Sequence, residues 1–160
     1  MKGWGTHLPV LMRAMALTDG PVLELGAGLY STPYLHWACF PSKRKLVSYD
    51  NDPKYFSYTN SYAEDFHEVI LVSNWDDIDI EKPWDVVLVD HGPAERRIEE
   101  IRKLAPYAKY IIVHDTQRRE EKYYRYDLIR PLFKYVHICT EVSPETTVFS
   151  NLVDLTDFHL

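Results

Sequence analysis

The sequence predicts an α/β fold: a doubly wound, seven-stranded sheet, mostly parallel, that finishes in an antiparallel C-terminal hairpin strand. Three observations carry this expectation. Short β-branched runs alternate with helix-like stretches from residue 21 onward, the pattern of right-handed βαβ units. The runs at 85–90 and 110–114 are almost continuously apolar, as strands covered on both faces must be. The last two β-rich runs are linked only by Ser143, Pro144 and Glu145, too short a connection for a crossover helix, so they must pair antiparallel.

The elements follow in chain order. An apolar stretch at 8–17, interrupted by Arg13, reads as a short amphipathic helix over 7–18, with Thr6 as its cap and Thr18, Asp19, Gly20 and Pro21 as its stop. It is well short of the roughly 20 residues that span a bilayer. Strands are expected at 21–25, 46–50, 68–72, 85–90 and 110–114, and a helix starts at Ser31. The stretch 93–104 puts Ile98, Ile101 and Leu104 on one helical face and Glu99 and Lys103 opposite as an i,i+4 pair, and Pro106 ends it. A further helical stretch at 120–133 precedes the hairpin runs at 136–142 and 146–153. The expected sheet core thus covers 21–155 within one domain of 1–160.

Composition limits the function. A chain of 160 residues with 46% hydrophobic and 26% charged residues suits one soluble domain with one large core. The net charge of −6 argues against a general phosphate-backbone binder, so nucleic acid is not the expected partner, and no segment suggests a membrane partner. Cys39 and Cys139 lie 100 residues apart without metal spacing, which reads as two free buried thiols and a cytoplasmic setting. Aromatic residues make up 14% of the chain, with twelve tyrosines and four tryptophans, an excess that calls for a use.

The sharpest local signal is the run from Val22 through Glu24, Gly26, Ala27, Gly28, Ser31 and Thr32: a strand, a Gly-x-Gly turn and a helix start. Glycines there allow a tight turn and let a ligand approach the free N–H groups of the helix. Asp50, followed by Asn51, closes the next strand 22 residues after Gly28, a placement suited to accepting two ribose hydroxyls.

With the apolar run at 85–90 and the terminal hairpin, these residues resemble the class I S-adenosylmethionine-dependent methyltransferases, a Rossmann-like family, over about residues 20–155. The Gly-x-Gly-x-Ser-Thr turn and the Val-His-Asp-Thr ending of the fifth strand are similar to a subgroup of small-molecule O-methyltransferases, some of them metal-dependent. The resemblance implies S-adenosylmethionine as cofactor, a glycine turn that holds its methionine part, Asp50 on its ribose, and a last strand inserted antiparallel between the fifth and sixth. Tyr30 stands where the family often has a third glycine, and its ring can line the cofactor pocket.

Chemistry is expected at the C-terminal ends of the parallel strands. Asp90 and His91 follow the fourth strand, and His114 and Asp115 end the fifth, so four polar side chains can converge across a strand spacing of about 4.8 Å. His91 or His114 can serve as general base with an aspartate fixing its tautomer. Alternatively Asp90 and Asp115, with His114, can hold a divalent cation such as Mg²⁺ that activates the acceptor; or His114 is a satisfied core residue and Asp115 caps the next helix. Trp75 and Asp76 can offer the adenine ring a stacking face and an acceptor. Arg96, Arg97, Arg118 and Arg119 read as solvated helix faces or as partners for an acidic acceptor, and Tyr123, Tyr124 and Tyr126 as rings that stack on a sugar or base. The expected activity is methyl transfer from S-adenosylmethionine to an oxygen of a small molecule. The alternatives are a non-catalytic S-adenosylmethionine- or nucleotide-binding module, or a methyltransferase of RNA or nucleotides. Little chain remains for a substrate lid, which makes a homodimer that completes the pocket an expectation too.

Overall fold

A computed structural model describes residues 3–160, the side chain of residue 121 excepted. Helix α1 (Leu8–Ala16) leads into strand β1 (Val22–Leu25), followed by α2 (Ser31–Cys39), β2 (Leu46–Asp50), α3 (Pro53–Thr59) and β3 (His67–Leu71). Then come β4 (Trp84–Val89), α4 (Arg97–Leu104), β5 (Ala108–His114), the single turn α5 (Glu121–Tyr124), β6 (Tyr135–Cys139) and β7 (Thr146–Ser150). The strands form one sheet in the order β3-β2-β1-β4-β5-β7-β6. β1 to β5 pair in parallel, and β7 runs antiparallel to both of its neighbours, β5 and β6. The expected sheet is therefore present, including the inserted last strand.

Alternation along the central strands explains the two layers. Val87 and Val89 of β4 face one core with Ile98, Ile101 and Leu104 of α4, while Val86 and Leu88 face the other with Val10, Leu11 and Ala14 of α1 and Leu35 of α2. Every residue of β4 is buried, so both faces of the strand contribute hydrophobic stabilisation, at about 25 cal/mol per Å² of apolar area removed from water. Cys39 and Cys139 are free and buried. No helix among the described residues is long and apolar enough to cross a membrane.

Several elements depart from expectation for identifiable reasons. Thr6 does not cap α1; its hydroxyl is drawn across the fold to His114 and the Pro144 carbonyl, and His7 occupies the cap position without a side-chain bond. The helix expected from 93 begins at Arg97, after a 3₁₀ turn at Ala94–Arg96. Glu99 pairs with Arg102 at 2.9 Å, and Lys103 turns to Asp76, so the Glu99–Lys103 pair does not form. The helix expected over 120–133 is broken into α5 and two 3₁₀ turns, Tyr126–Leu128 and Arg130–Leu132. Arg125 sits in the left-handed region at φ 54°, and Tyr126 is pulled fully into the core, both incompatible with a continuous helix. The hairpin strands stop at Cys139 and Ser150, leaving a loop at 140–145 longer than the three-residue link expected.

A buried polar chain underlies β1 and β2. Ser48 donates to Glu24 Oε2 at 2.5 Å, and Thr32 donates to the same carboxyl while accepting the Gly28 N–H at 2.9 Å. Glu24 is wholly buried, and burial pushes its pKa from 4.5 up to about 7 against the pull of these hydrogen bonds. A carboxyl whose folded pKa is raised favours the protonated form. Its stabilising contribution is complete below pH 4.5 and is lost as pH rises through about 7. Glu24→Gln should therefore gain on the wild type by about 1.4 kcal/mol between pH 6 and pH 8, read from urea unfolding at both values. A stability difference independent of pH would show that Glu24 does not titrate in this window.

Candidate active site

The registers align the C-terminal ends of β1, β4 and β5. Leu25 pairs with Val89 and Val89 with Val113, so Gly26, Asp90 and His114 leave the sheet side by side. Gly26 has φ 98°, and a Cβ there would lie 2.5 Å from the backbone of Asp90 and His91. Only glycine fits this crossing, on both counts. Gly28 differs: its φ is ordinary for a residue with a side chain, and nothing lies closer than 4.0 Å to the place of its Cβ. The fold does not require glycine at 28, and the open space beside it belongs to a cavity of 480 Å³ lined by residues 26–31, 50–52 and 90–93 with Trp4, His7 and Tyr55. That size suits a nucleoside-sized ligand.

Asp50 forms the cavity's second wall. It accepts the Asp52 N–H at 2.7 Å, and burial pushes its carboxyl up to about 6. Tyr30, at the start of α2, leans on the N-terminal segment, where a Cβ on Gly5 would meet its ring at 3.0 Å. Asn51, Ala27 and Ser31 line the same cavity. Glu24 and Thr32 do not; they hold the turn from beneath. Trp75 and Asp76 also lie outside it. The Trp75 ring is buried against His91, centroids 4.1 Å apart, with its N–H donated to the Gly92 carbonyl, and Asp76 is exposed and bound to Arg96. The 3₁₀ turn at Trp75–Asp77 directs the indole inward, so it supports the 91–92 loop rather than offering a stacking face.

Arg97 organises the ends of β4 and β5. It donates to the His91 carbonyl at 2.7 Å, the His114 carbonyl at 3.2 Å and Asp90 Oδ1 at 2.9 Å, and faces Asp115 at 3.8 Å. Tyr124 covers the guanidinium and stacks on Tyr126, whose hydroxyl donates to the His114 carbonyl. Arg97 is therefore committed to the fold rather than to an acidic acceptor, and Arg96 is held by Asp76 and Glu100. Arg118 and Arg119 lie on the 118–120 turn, outside the cavity. The expected cation between Asp90 and Asp115 does not fit: both carboxylates face Arg97, which stands where a bridging Mg²⁺ would. Asp115, at φ 60°, accepts the Tyr124 hydroxyl and caps no helix.

His91 is buried, and burial depresses its pKa; its Nε2 donates to Glu100 at 3.2 Å. His114 Nδ1 lies 3.3 Å from Asp90, and its Nε2 meets the Thr6 hydroxyl at 2.9 Å. For Asp90, burial works upward but the His114 bond and the Arg97 charge outweigh it, holding the carboxyl below its usual range. A second cavity of 320 Å³, lined by Trp4, Asp90, His114, Asp115 and Pro144, shares Trp4 and Asp90 with the first.

No motif in the sequence marks Trp4 or His7. Residues 3–7 run over the site, fixed by Gly3 N–H to the Ser143 carbonyl at 3.2 Å and by Thr6 to the Pro144 carbonyl at 3.1 Å. They provide part of the cover that the length of the chain left unaccounted for. Arg97 had a readable signal: positions 97, 101 and 104 share the inward face of α4.

The sheet order, the inserted antiparallel strand and the cavity at the glycine turn define the fold of the class I S-adenosylmethionine-dependent methyltransferases. Solved structures of that fold superpose on nearly the whole chain. TomG, an O-methyltransferase of tomaymycin synthesis from Streptomyces achromogenes solved with S-adenosylmethionine, matches at TM-score 0.65 and 16% identity over 91% of this chain and 78% of its own. Cofactor-bound Rv0187 from MTB matches at 0.69 and 18% over 92% and 80%. The N-terminal domain of human METTL16, with S-adenosylhomocysteine, matches at 0.64 and 12% over 96% and 73%. No protein-family model matches the sequence, and no curated protein does so.

The two glycines should separate experimentally. Gly26→Ala combines a strained φ with a backbone clash and should cost about 3 kcal/mol or more, whereas Gly28→Ala should stay within about 1 kcal/mol of wild type. Thermal and urea melts of the two variants check this, and equal losses would contradict the division of roles.

Proposed function

We propose that the chain is an S-adenosylmethionine-dependent methyltransferase that acts on an oxygen of a small-molecule acceptor. The observation that carries this reading is the unfilled space beside Gly28, on a turn whose backbone is otherwise fully supported and which faces Asp50 across a nucleoside-sized cavity. In this reading the backbone of residues 26–28 approaches the methionine part of the cofactor, Asp50 accepts from the ribose hydroxyls, and Asn51, Tyr55 and the 92–93 loop border the adenine. The sulfonium then points toward Asp90, where the larger cavity meets the smaller one.

Methyl transfer is an in-line displacement: the bond from sulfur to methyl breaks, the bond from acceptor oxygen to methyl forms, and the sulfonium becomes a neutral thioether. The protein must align the two atoms and remove the acceptor's proton. The smaller cavity suits the acceptor because Asp90 and His114, the polar groups at the junction, are there to receive that proton. Asp115 lines the same cavity, while His91 lines the larger one and is held by Glu100. An acidic chain whose Arg96 and Arg97 are held by its own carboxylates favours a small neutral or hydroxylated acceptor over nucleic acid.

Calorimetry with S-adenosylmethionine tests the cofactor assignment. Asp50→Asn and Gly28→Ala should each weaken binding at least tenfold, or about 1.4 kcal/mol, while remaining folded. Wild-type affinity should fall below about pH 6, where Asp50 becomes protonated in the free protein and must lose that proton to accept both hydroxyls. No heat at millimolar cofactor would contradict the reading. Formation of S-adenosylhomocysteine with hydroxylated acceptors tests the transfer, and binding without turnover would favour a non-catalytic module.

A further inference from the structure

We propose that His7, Asp90 and His114 together bind one divalent transition-metal ion of the zinc class at the junction of the two cavities. Their donor atoms all lie within 4.8 Å of one another. His114 Nδ1 is 3.3 Å from Asp90 Oδ2, and His7 Nδ1 is 4.0 Å from the same oxygen. Two donors about 2.1 Å from a shared tetrahedral ion stand about 3.4 Å apart. The His114–Asp90 pair already has this spacing, and His7 must draw closer to both to share the ion.

One buried side chain shows that the cluster lacks a partner. His7 is 3% exposed, yet neither ring nitrogen has a hydrogen-bond partner. A buried polar group left so costs about 1–3 kcal/mol, and an ion would remove that cost. His114 Nδ1 stands 3.3 Å from the same Asp90 carboxylate, and the two imidazoles meet edge to face, centroids 4.8 Å apart.

The surroundings are arranged as metal sites require. Thr6 fixes the orientation of His114, and Arg97 occupies Asp90 Oδ1, leaving Oδ2 for the ion. Two imidazoles and one carboxylate suit zinc, iron or nickel rather than magnesium, which prefers oxygen donors. Among the described residues three protein donors are present, so further positions stay open toward the cavity lined by Trp4 and Pro144. When bound there, the ion would lower the pKa of an acceptor hydroxyl. That role rests on the methyltransferase reading, while the binding itself does not.

The test is titration of the chelator-stripped full chain with Zn²⁺ by calorimetry and with Co²⁺ by visible absorption. One ion per chain should bind, with a Kd on the order of 1 μM or tighter. His7→Ala should weaken binding at least tenfold, and His159→Ala, at an exposed position, should leave it unchanged. A melt in chelator checks that the variant folds, and His7→Asn serves in its place if alanine fails to fold. No binding, binding unaffected by either His7 variant, or equal affinity for Mg²⁺ would overturn the site. Calorimetry with S-adenosylmethionine in chelator is run in parallel, so that cofactor binding without metal binding overturns the metal site alone.

Discussion

A single buried guanidinium holds the working end of this sheet together. Arg97 spends its donors on the carbonyls that end β4 and β5 and on the Asp90 carboxylate between them. A charge buried to this extent is tolerable only when it is paired and hydrogen-bonded throughout. Asp90 and Asp115 supply the countercharge, and the stacked rings of Tyr124 and Tyr126, 5.2 Å apart, keep water away. Because Arg97 takes one oxygen of Asp90 and stabilises its anion, the other oxygen is left facing His7 and His114. The geometry of the whole junction follows from this engagement.

The opposite wall is held by a separate device. Thr32 donates to Glu24 and accepts from Gly28, so the glycine turn is tied to the centre of the sheet through β1. Behind Glu24 the chain of bonds continues to Ser48, His67 and His36. Burial depresses His67 to about 4, so its ring is neutral. That ring meets the Ser48 hydroxyl through Nε2 at 2.9 Å and His36 through Nδ1 at 3.2 Å. A buried chain of hydrogen bonds of this kind holds one arrangement of the turn. The two walls are thus rigid for different reasons, one neutral and cooperative, the other ionic. Only the cover, residues 3–7 and the 140–145 loop, is attached by a few bonds.

The architecture was legible because its signals are local or periodic. Apolar strands, the glycine turn and the short hairpin link each act over a few residues, and together they define the sheet. The cofactor wall was legible in part: Gly28 and Asp50 announce themselves by spacing, but the inward turn of Trp75 depends on a 3₁₀ turn that the sequence does not mark. Polar residues were hardest to read. Thr6 looks like a helix cap and Arg97 like a surface charge, because the partners that engage them, His114, Pro144 and Asp90, lie far away in sequence. His7 is an extreme case. It belongs to no motif, and only the folding of the N-terminal segment across the strand ends brings it to Asp90.

The most direct test of the account is a crystal structure of the chain with S-adenosylhomocysteine bound. The ribose hydroxyls should lie within hydrogen-bond reach of Asp50, about 2.6–3.2 Å, the amino-acid part beside Gly28, and the sulfur should point toward Asp90 at the mouth of the smaller cavity. A ligand bound in any other cavity, or one whose sulfur points away from Asp90 and His114, would contradict the assignment of the two walls and the junction between them.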